Sequence, residues 1–263
     1  MRVLSIFFTT AFLLGASASA LQPLRKPVDP TGAFAKLTGQ ITQSGPSDGA
    51  FANGFIIGAE GCHILTNFHV AFGKAKDPKT GEIEMVDRVE VGHLVNFAFD
   101  LDSRTGKFKR TMKAKVVDFG NYEAGTSRGF LGDLALLRLE SCLGREYGYL
   151  EVDRPAEGKF LPMGKLKTVS SSRNSRGENE VLVEEGCLAD NATTVVGMML
   201  ASCEIVGGMS GSMILEEGAD KRWRLVGVAT SAGAIENGKQ VTKAIYVNAI
   251  NKFLNAALGS ERR

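Results

Sequence analysis

The sequence lacks three features that would indicate other classes of protein: a strong net charge, a second long apolar run and a metal-binding motif. Its 31 lysines and arginines nearly balance 29 aspartates and glutamates, for a formal net charge of +2, so nucleic acid is not predicted as a partner. A basic cluster at 107–115 is interpreted as a solvated face. Beyond residue 20, no stretch is long and apolar enough to cross a bilayer. Neither HExxH nor CxxC occurs, so no metal site is predicted.

The N-terminus has the pattern of an export signal. Arg2 precedes an apolar run from Val3 to Leu14, and small residues at 18–20 allow cleavage before Leu21. We therefore predict a signal peptide at 1–20, no membrane span after cleavage, and a secreted or periplasmic protein. Residues 21–50 are rich in Pro, Gly, Ser and Gln and are predicted to be a lead segment, ordered only in part.

From residue 51 onward the chain is a series of short strand-like runs separated by Gly, Asn, Asp and Ser, which predicts an all-β fold. The segment 167–179 (KTVSSSRNSRGEN) is predicted to be an exposed loop. One helix is predicted near the C-terminus, capped by Asn248 and ended by Gly259, with an apolar face that includes Ile250 and Leu254. Residues 259–263 are predicted to be a tail.

Three local segments together supply the groups that peptide hydrolysis by a serine requires. They are Thr66-Asn67-Phe68-His69-Val70, Gly132-Asp133-Leu134 and Gly207-Gly208-Met209-Ser210-Gly211-Ser212. A hydroxyl attacks, an imidazole removes its proton, and a buried carboxylate holds the imidazole tautomer. Taken singly, each residue has an ordinary interpretation: His69 as a core histidine, Asp133 as a turn residue and Ser210 as a turn residue. Their joint occurrence favours a triad of His69, Asp133 and Ser210.

The order of the three residues along the chain excludes other triad families. All three histidines, His63, His69 and His93, precede Ser210, whereas an α/β-hydrolase has its histidine after the serine. The subtilisin order requires an aspartate before the histidine. Asp29 and Asp48 do precede His69, but both lie in the lead segment.

The three segments resemble the trypsin/chymotrypsin-like serine peptidases, and more closely their short bacterial branch. The resemblance covers about residues 50–258, so 51–258 is expected to be the peptidase domain. It implies two antiparallel six-stranded β-barrels with the active site between them, and cleavage of a protein or peptide through an acyl-enzyme, without a metal or organic cofactor. A non-catalytic binding module and an envelope chaperone-protease are the alternatives. The first would be expected to have lost a triad residue, and the second would need a further domain. The oligomeric state stays open.

The resemblance also implies an oxyanion hole formed by the backbone N–H groups of Gly208 and Ser210, because the developing negative oxygen needs preorganised donors. Digestive members of the family have an aspartate directly before the nucleophile, and it binds the new N-terminus after zymogen cleavage. Met209 occupies that place here. Since a thioether cannot pair with an ammonium group, activation by that route is not expected.

Specificity residues are expected on the strand that would pair with substrate and on its neighbour. By resemblance these substrate-binding residues are Thr230, Ser231, Ala232 and Ala244, and the two alanine methyl groups should narrow the pocket. Glu204 would reach the base of the pocket and favour a basic side chain, although an exposed loop acid is an equally good interpretation.

The four cysteines of an exported chain suggest two disulfides, for which three pairings exist. Facing residues of an antiparallel pair have a nearly constant sum of residue numbers. His69 and Asp133 must approach each other and sum to 202, while Cys62 and Cys142 sum to 204, so these two cysteines are predicted to pair. Cys187 and Cys203 then form the second disulfide, just before the nucleophile loop.

Overall fold

The computed structural model describes residues 26–27, 32–42, 52–58, 60–70, 73–76, 83–86, 90–120, 130–152, 165–174, 176–190, 197–236 and 239–261. The predicted signal peptide lies outside these residues, as does most of the predicted lead segment. Within the described residues, no helix is both long and apolar enough to span a bilayer.

Strands make up most of the described chain. Their bounds are β1 Lys26–Pro27, β2 Thr38–Thr42, β3 Ala52–Ile57, β4 His63–Thr66, β5 Gly73–Lys76, β6 Ile83–Val86, β7 Leu94–Asp102, β8 Lys107–Phe119, β9 Ala135–Leu139, β10 Leu166–Arg173, β11 Asn179–Cys187, β12 Ala189–Asp190, β13 Met198–Ala201, β14 Met213–Glu217, β15 Trp223–Glu236 and β16 Lys239–Tyr246. The helices are α1 (Gly144–Tyr147) and α2 (Val247–Glu261), with 3-10 turns at Ala35–Leu37 and Phe68–Val70.

The first unit is a closed barrel of six strands in the order β2-β3-β4-β9-β8-β7. Its interior is filled by alternate residues, as on β7, where Val95, Phe97, Phe99 and Leu101 are buried and the residues between them are not. This period of two is what a strand with one buried face requires. Burying a side chain of this size contributes about 1.5–3 kcal/mol to stability, so the barrel is a stable support for the loops at its ends.

The first barrel includes a strand, β2, that lies before the predicted domain start at residue 51. β2 closes the barrel by pairing with β3 on one side and β7 on the other. Its residues Thr38, Gln40 and Ile41 are buried. The run Thr-Gly-Gln-Ile-Thr has little apolar character, and only its pairing with the rest of the barrel explains why it is a strand.

The second unit is a sheet in the order β1-β11-β10-β14-β15-β16-β13-β12. Six of these strands form its body, and the two-residue strands β1 and β12 lie at its ends. The all-β prediction with a C-terminal helix is therefore confirmed, although the strand pairing of the second unit is that of an eight-stranded sheet rather than a closed six-stranded barrel. Its core includes Leu166, Met199, Ile214, Val226 and Tyr246.

The prediction of an exposed loop at 167–179 is wrong. β10 and β11 form an antiparallel hairpin in this region, and Thr168, Val169, Ser170 and Ser171 are all buried. Serine and threonine residues gave the segment the composition of a loop. In the structure β10 contacts β2 and β3 of the first barrel, and the Ser171 hydroxyl accepts from Nε2 of Gln40 on β2 at 3.2 Å.

The C-terminal helix α2 packs with Ile250, Leu254 and Ala257 buried, as its apolar spacing predicts. It begins at Val247, so Asn248 lies in its first turn rather than before it. It also continues through Gly259 to Glu261, so most of the predicted tail is helical.

The two cysteine pairs of the structure are Cys62–Cys142 and Cys187–Cys203. The first joins the ends of β4 and β9, which are antiparallel neighbours with facing residues that sum to 201, as in His63 with Arg138. These two strands lead to the histidine and the aspartate of the predicted triad, so the disulfide lies one strand length from the site.

Candidate active site

The side chains of His69 and Asp133 meet where β4 and β9 leave the barrel. His69 lies in the 3-10 turn that follows β4. Asp133 lies two residues before β9, after a turn in which its N–H donates to the Phe130 carbonyl at 3.1 Å. Nδ1 of His69 is 2.7 Å from Oδ2 of Asp133, and the backbone N–H of His69 donates to Oδ1 at 2.9 Å. The carboxylate therefore holds both the ring and the main chain of the histidine.

The side chain of His69 is more exposed than that of Asp133, and this difference decides which atom of the pair can act as a base. Asp133 is 1% exposed, whereas His69 is 16% exposed. A proton on Nδ1 that is donated to the carboxylate leaves Nε2 with a lone pair. The pair can thus present a basic nitrogen toward the more open side while the aspartate stays shielded from water.

Asn67 links the His69 turn to the second sheet, a role that the sequence analysis did not assign. This buried side chain donates from Nδ2 to the backbone carbonyl of Asp133 at 2.8 Å and to Oγ1 of Thr230 at 3.0 Å. One amide therefore joins the histidine turn, the aspartate turn and β15.

Ser210 lies at the tip of the loop between β13 and β14, next to the same part of β15. Its hydroxyl donates to the Thr230 carbonyl at 3.2 Å. The N–H of Gly211 donates to the Ala229 carbonyl at 2.8 Å, and the Ala229 N–H donates to the Ser212 carbonyl at 2.9 Å. These bonds place the serine on the strand to which Asn67 holds the His69 turn.

Three successive carbonyl groups of this loop are held by hydrogen bonds. Nδ2 of Asn53 donates to the Gly208 carbonyl at 3.0 Å. The Met209 carbonyl accepts from the N–H of Ser212 at 3.1 Å and from its hydroxyl. The Ser210 carbonyl accepts from the backbone N–H of Asn53 at 2.8 Å. Since peptide groups are planar, fixing a carbonyl also fixes the N–H of the residue that follows it.

The N–H groups of Gly208 and Ser210 are the donors expected to form the oxyanion hole. Among the residues that the structure describes, neither of them donates to a protein acceptor. Gly208 has φ +87°, in the left-handed region that favours glycine. The Ser210 N–H shares a peptide group with the held Met209 carbonyl. A donor that is held in place but not already used is what a developing oxyanion needs.

Met209 is buried beneath the loop and takes part in its hydrogen bonding. Its side chain is 1% exposed, and its sulfur accepts from the N–H of Val206 at 3.5 Å. The Met209 N–H in turn donates to the Val206 carbonyl at 3.0 Å. The loop is therefore held by contacts within itself at the place where a charged residue would bind a new N-terminus.

The predicted specificity residues lie on β15, on β16 and before the nucleophile loop. Thr230 and Ala244 are buried, and Ala244 faces Ala229 across the β15–β16 pair. Ser231 and Ala232 belong to β15, but their side chains lie outside the described residues. Glu204 is half-buried, and its backbone N–H donates to the carboxylate of buried Glu184 at 2.9 Å.

One group of potential metal ligands occurs in the described part of the chain, formed by Glu60, Cys62 and Cys142. The two sulfurs are bonded to each other. A disulfide does not supply the thiolates that a metal would need, so this group is not a metal site.

Comparison with known proteins places these features in one family. The sequence profile described as a trypsin-like peptidase domain matches residues 52–228, more than half of the chain. Comparison with curated protein sequences finds no match.

Among solved structures, the chain is similar to the thermostable serine protease AL20 from an extremophilic microorganism, with 15% identity and a TM-score of 0.56 over 86% of this chain and 98% of that one. Similarity to the protease Anisep from Arthrobacter nicotinovorans extends over 89% and 99% of the two chains, with 15% identity and a TM-score of 0.60. A Glu endopeptidase in complex with MPD is similar over 89% of this chain and 95% of that one, with 18% identity and a TM-score of 0.58. At these identities the likeness is one of fold.

Proposed function

Since the chain belongs to the trypsin-like serine endopeptidases, we propose that it hydrolyses peptide bonds with Ser210 as nucleophile, His69 as base and Asp133 as the orienting carboxylate. The observation that carries this proposal is the contact between His69 and the buried Asp133, at 2.7 Å. It sets the histidine tautomer that a serine nucleophile requires.

In the first half of the reaction, the Ser210 hydroxyl turns from the Thr230 carbonyl toward Nε2 of His69. The oxygen attacks the carbonyl carbon of the substrate, and its proton passes to Nε2. The resulting imidazolium is stabilised by Asp133 and then gives this proton to the leaving amine, which leaves an ester on Ser210. Such hydrogen bonds often tighten only when substrate is bound.

In the second half, water attacks the carbonyl carbon of the ester while His69 removes a proton from the water. The imidazolium then gives this proton to the Ser210 oxygen as the ester bond breaks and the acid product leaves. In both halves the carbonyl oxygen of the substrate becomes an oxyanion. The N–H groups of Gly208 and Ser210 bind this oxygen. The Ser210 N–H is already held in place through the Met209 carbonyl, so it needs little reorganisation as the charge develops. Apart from the substrate and one water molecule, these steps use only side chains and backbone groups of the protein.

We further propose that the protein acts after export. The sequence pattern at 1–20 supports an export signal, and two disulfides suit an oxidising compartment such as a periplasm or the exterior of a cell. The substrate is a protein or peptide. Small or medium side chains are expected in the first pocket, because Ala232 and Ala244 stand on the strands that would form its walls.

Ser210→Ala tests the proposed chemistry. The variant should fold, and its turnover of casein or a peptide library should fall by about 10⁶, the scale seen when the nucleophile of a comparable triad is removed. Ser141→Ala, which changes an exposed serine outside the site, is the matched control and should hydrolyse at the wild-type rate. Turnover by Ser210→Ala close to that of the control would reject Ser210 as the nucleophile.

A further inference from the structure

Asn53 is a completely buried asparagine on β3 whose polar groups all face other parts of the protein. Its backbone pairs with Gln40 of β2 on one side. The carbonyl oxygen of Asn53 accepts from the hydroxyl of Thr66 at 2.6 Å, at the end of β4. Asn53 therefore belongs to the first barrel, close to the segment that bears His69.

The side chain of Asn53 leaves the first barrel and contacts two separate segments of the second unit. Its Oδ1 accepts from the backbone N–H of Ser171 on β10. Its Nδ2 donates to the carbonyl of Gly208 at 3.0 Å. Together with the bond from its backbone N–H to the Ser210 carbonyl at 2.8 Å, Asn53 holds the carbonyls on both sides of Met209.

We propose that Asn53 is a positioning residue for the oxyanion hole. It lies at the seam, the contact of β2 and β3 of the first barrel with β10 of the second unit, and it holds the two peptide groups on either side of the one that bears the Ser210 N–H. The proposal rests on the proposed function, because it assumes that Gly208 and Ser210 bind the oxyanion. The N–H of Gly208 is separated from its held carbonyl only by the φ and ψ angles of Gly208 itself. A glycine places little steric limit on these angles, so Asn53 constrains the Ser210 N–H, which lies between two held peptide groups, more than the Gly208 N–H.

Only an amide side chain fits both contacts at once. The Ser171 N–H needs an acceptor and the Gly208 carbonyl needs a donor, and an asparagine amide offers one of each from adjacent atoms. An ionised aspartate has the same shape and can still accept from Ser171, but it has no hydrogen to donate to Gly208. Alanine removes both contacts.

Gln40 provides a control for general loosening of the seam. This neighbour of Asn53 is also buried, and its Nε2 donates to the hydroxyl of Ser171 at 3.2 Å. It makes a side-chain bond across the same seam, but not to the nucleophile loop. If Asn53 acted only by holding the two units together, Gln40→Ala and Asn53→Ala would have similar effects on catalysis.

The test compares Asn53→Asp, Asn53→Ala and Gln40→Ala at about pH 8, where a histidine base is neutral, on a peptide anilide chosen from a library. Both Asn53 variants should lose about 10- to 100-fold in kcat, less than the 10²–10³ that follows loss of a direct oxyanion donor. Their KM should stay within about threefold, since the ground state does not yet carry the charge. Gln40→Ala should retain wild-type kcat.

A peptidyl trifluoromethyl ketone gives a second readout that a merely structural role would not affect. Its adduct with Ser210 places an oxyanion in the hole, so its affinity for the Asn53 variants should fall by the same factor as kcat. Wild-type kcat and ketone affinity in Asn53→Asp would overturn the inference, and so would an equal loss in Gln40→Ala.

If neither Asn53 variant folds, hydrogen exchange of the Asn53 side-chain amide in the wild-type protein decides the question. Exchange that is slow, and slower still in the ketone adduct, supports the inference, whereas exchange as fast as in a solvated asparagine contradicts it. Labelling of Ser210 by the ketone in the wild-type protein tests the proposed function separately. If Ser210 reacts and only the Asn53 results fail, the inference alone is wrong.

Discussion

Gly211 is a point where the nucleophile loop lies close against the first barrel, and its replacement by alanine is a sharp test of how that loop is held. A Cβ atom at this position would overlap the carbonyl oxygen of Asn53 and would lie 2.9 Å from Oγ1 of Thr66. Both atoms belong to strands of a closed barrel and cannot easily give way. The φ angle of Gly211 is +81°, which is also unfavourable for alanine.

Two effects of Gly211→Ala can be estimated separately. Holding a residue with a side chain in the left-handed region costs about 1–2 kcal/mol. Relieving the overlap moves the loop by on the order of 1 Å, a displacement that can cost about 10²-fold in rate. We therefore expect kcat/KM to fall by about 10²–10³, the range associated with loss of an oxyanion donor. For a domain of this size, each kcal/mol of destabilisation lowers Tm by roughly 2–4 °C.

Gly177→Ala is the matched control, because Gly177 has φ +78° but its new methyl group would lie more than 4 Å from every other described atom beyond its chain neighbours. Gly177→Ala should share the cost of holding a residue with a side chain at positive φ, but it should keep the wild-type kcat/KM. Hydrolysis of a peptide anilide and thermal unfolding would be measured for both variants. A Gly211→Ala protein with kcat/KM close to that of the wild type would refute the idea that close contact with β3 sets the loop, and an equal loss in Gly177→Ala would do the same.

Three further predictions concern the base, the loop and the disulfides. The kcat/KM should rise with pH through a single ionisation, because the His69 ring accepts the serine proton only when it is neutral; a rate that is flat from acid to neutral pH would contradict a histidine base. Proteins starting at Leu21 and at Gly32, both of which keep β2, should both be active, since buried Met209 holds the loop through Val206 without a docked N-terminus; strict dependence on one new N-terminal residue would contradict this. Replacing both cysteines of a pair by serine should cost about 4.5 kcal/mol for Cys62–Cys142 and about 3 kcal/mol for Cys187–Cys203, since the sequence separations are 80 and 16. Urea unfolding would measure the difference, and the reverse order would contradict the chain-entropy estimate.

Features that depend on local sequence could be predicted well. The segments around His69, Asp133 and Ser210 carry their signals within a few residues, and the all-β class follows from short runs and turns. The neighbouring placement of β4 and β9 could also be predicted, because the facing residues of two antiparallel strands have a constant sum.

Features that depend on distant pairing could not be predicted. Asn53 is 155 residues from Gly208 and 118 from Ser171, so nothing near it in the sequence indicates its partners. The same applies to Asn67, whose bond to Thr230 spans 163 residues. The polar strands β2 and β10 were missed because several of their buried residues are threonine, serine or glutamine, which gives the two strands no apolar pattern. Across the seam, Gln40 on β2 donates to Ser171 on β10.

The most direct measurement of the central claim is reaction with a fluorophosphonate probe, followed by mass spectrometry of the labelled peptide. The reagent phosphonylates a serine that is activated by a neighbouring base, and its phosphoryl oxygen occupies the oxyanion hole. We predict one label per molecule, on Ser210, with labelling abolished in Ser210→Ala and greatly slowed in His69→Ala. A folded wild-type protein that takes up no label, or one labelled on a different serine, would contradict the assignment of Ser210 as the nucleophile.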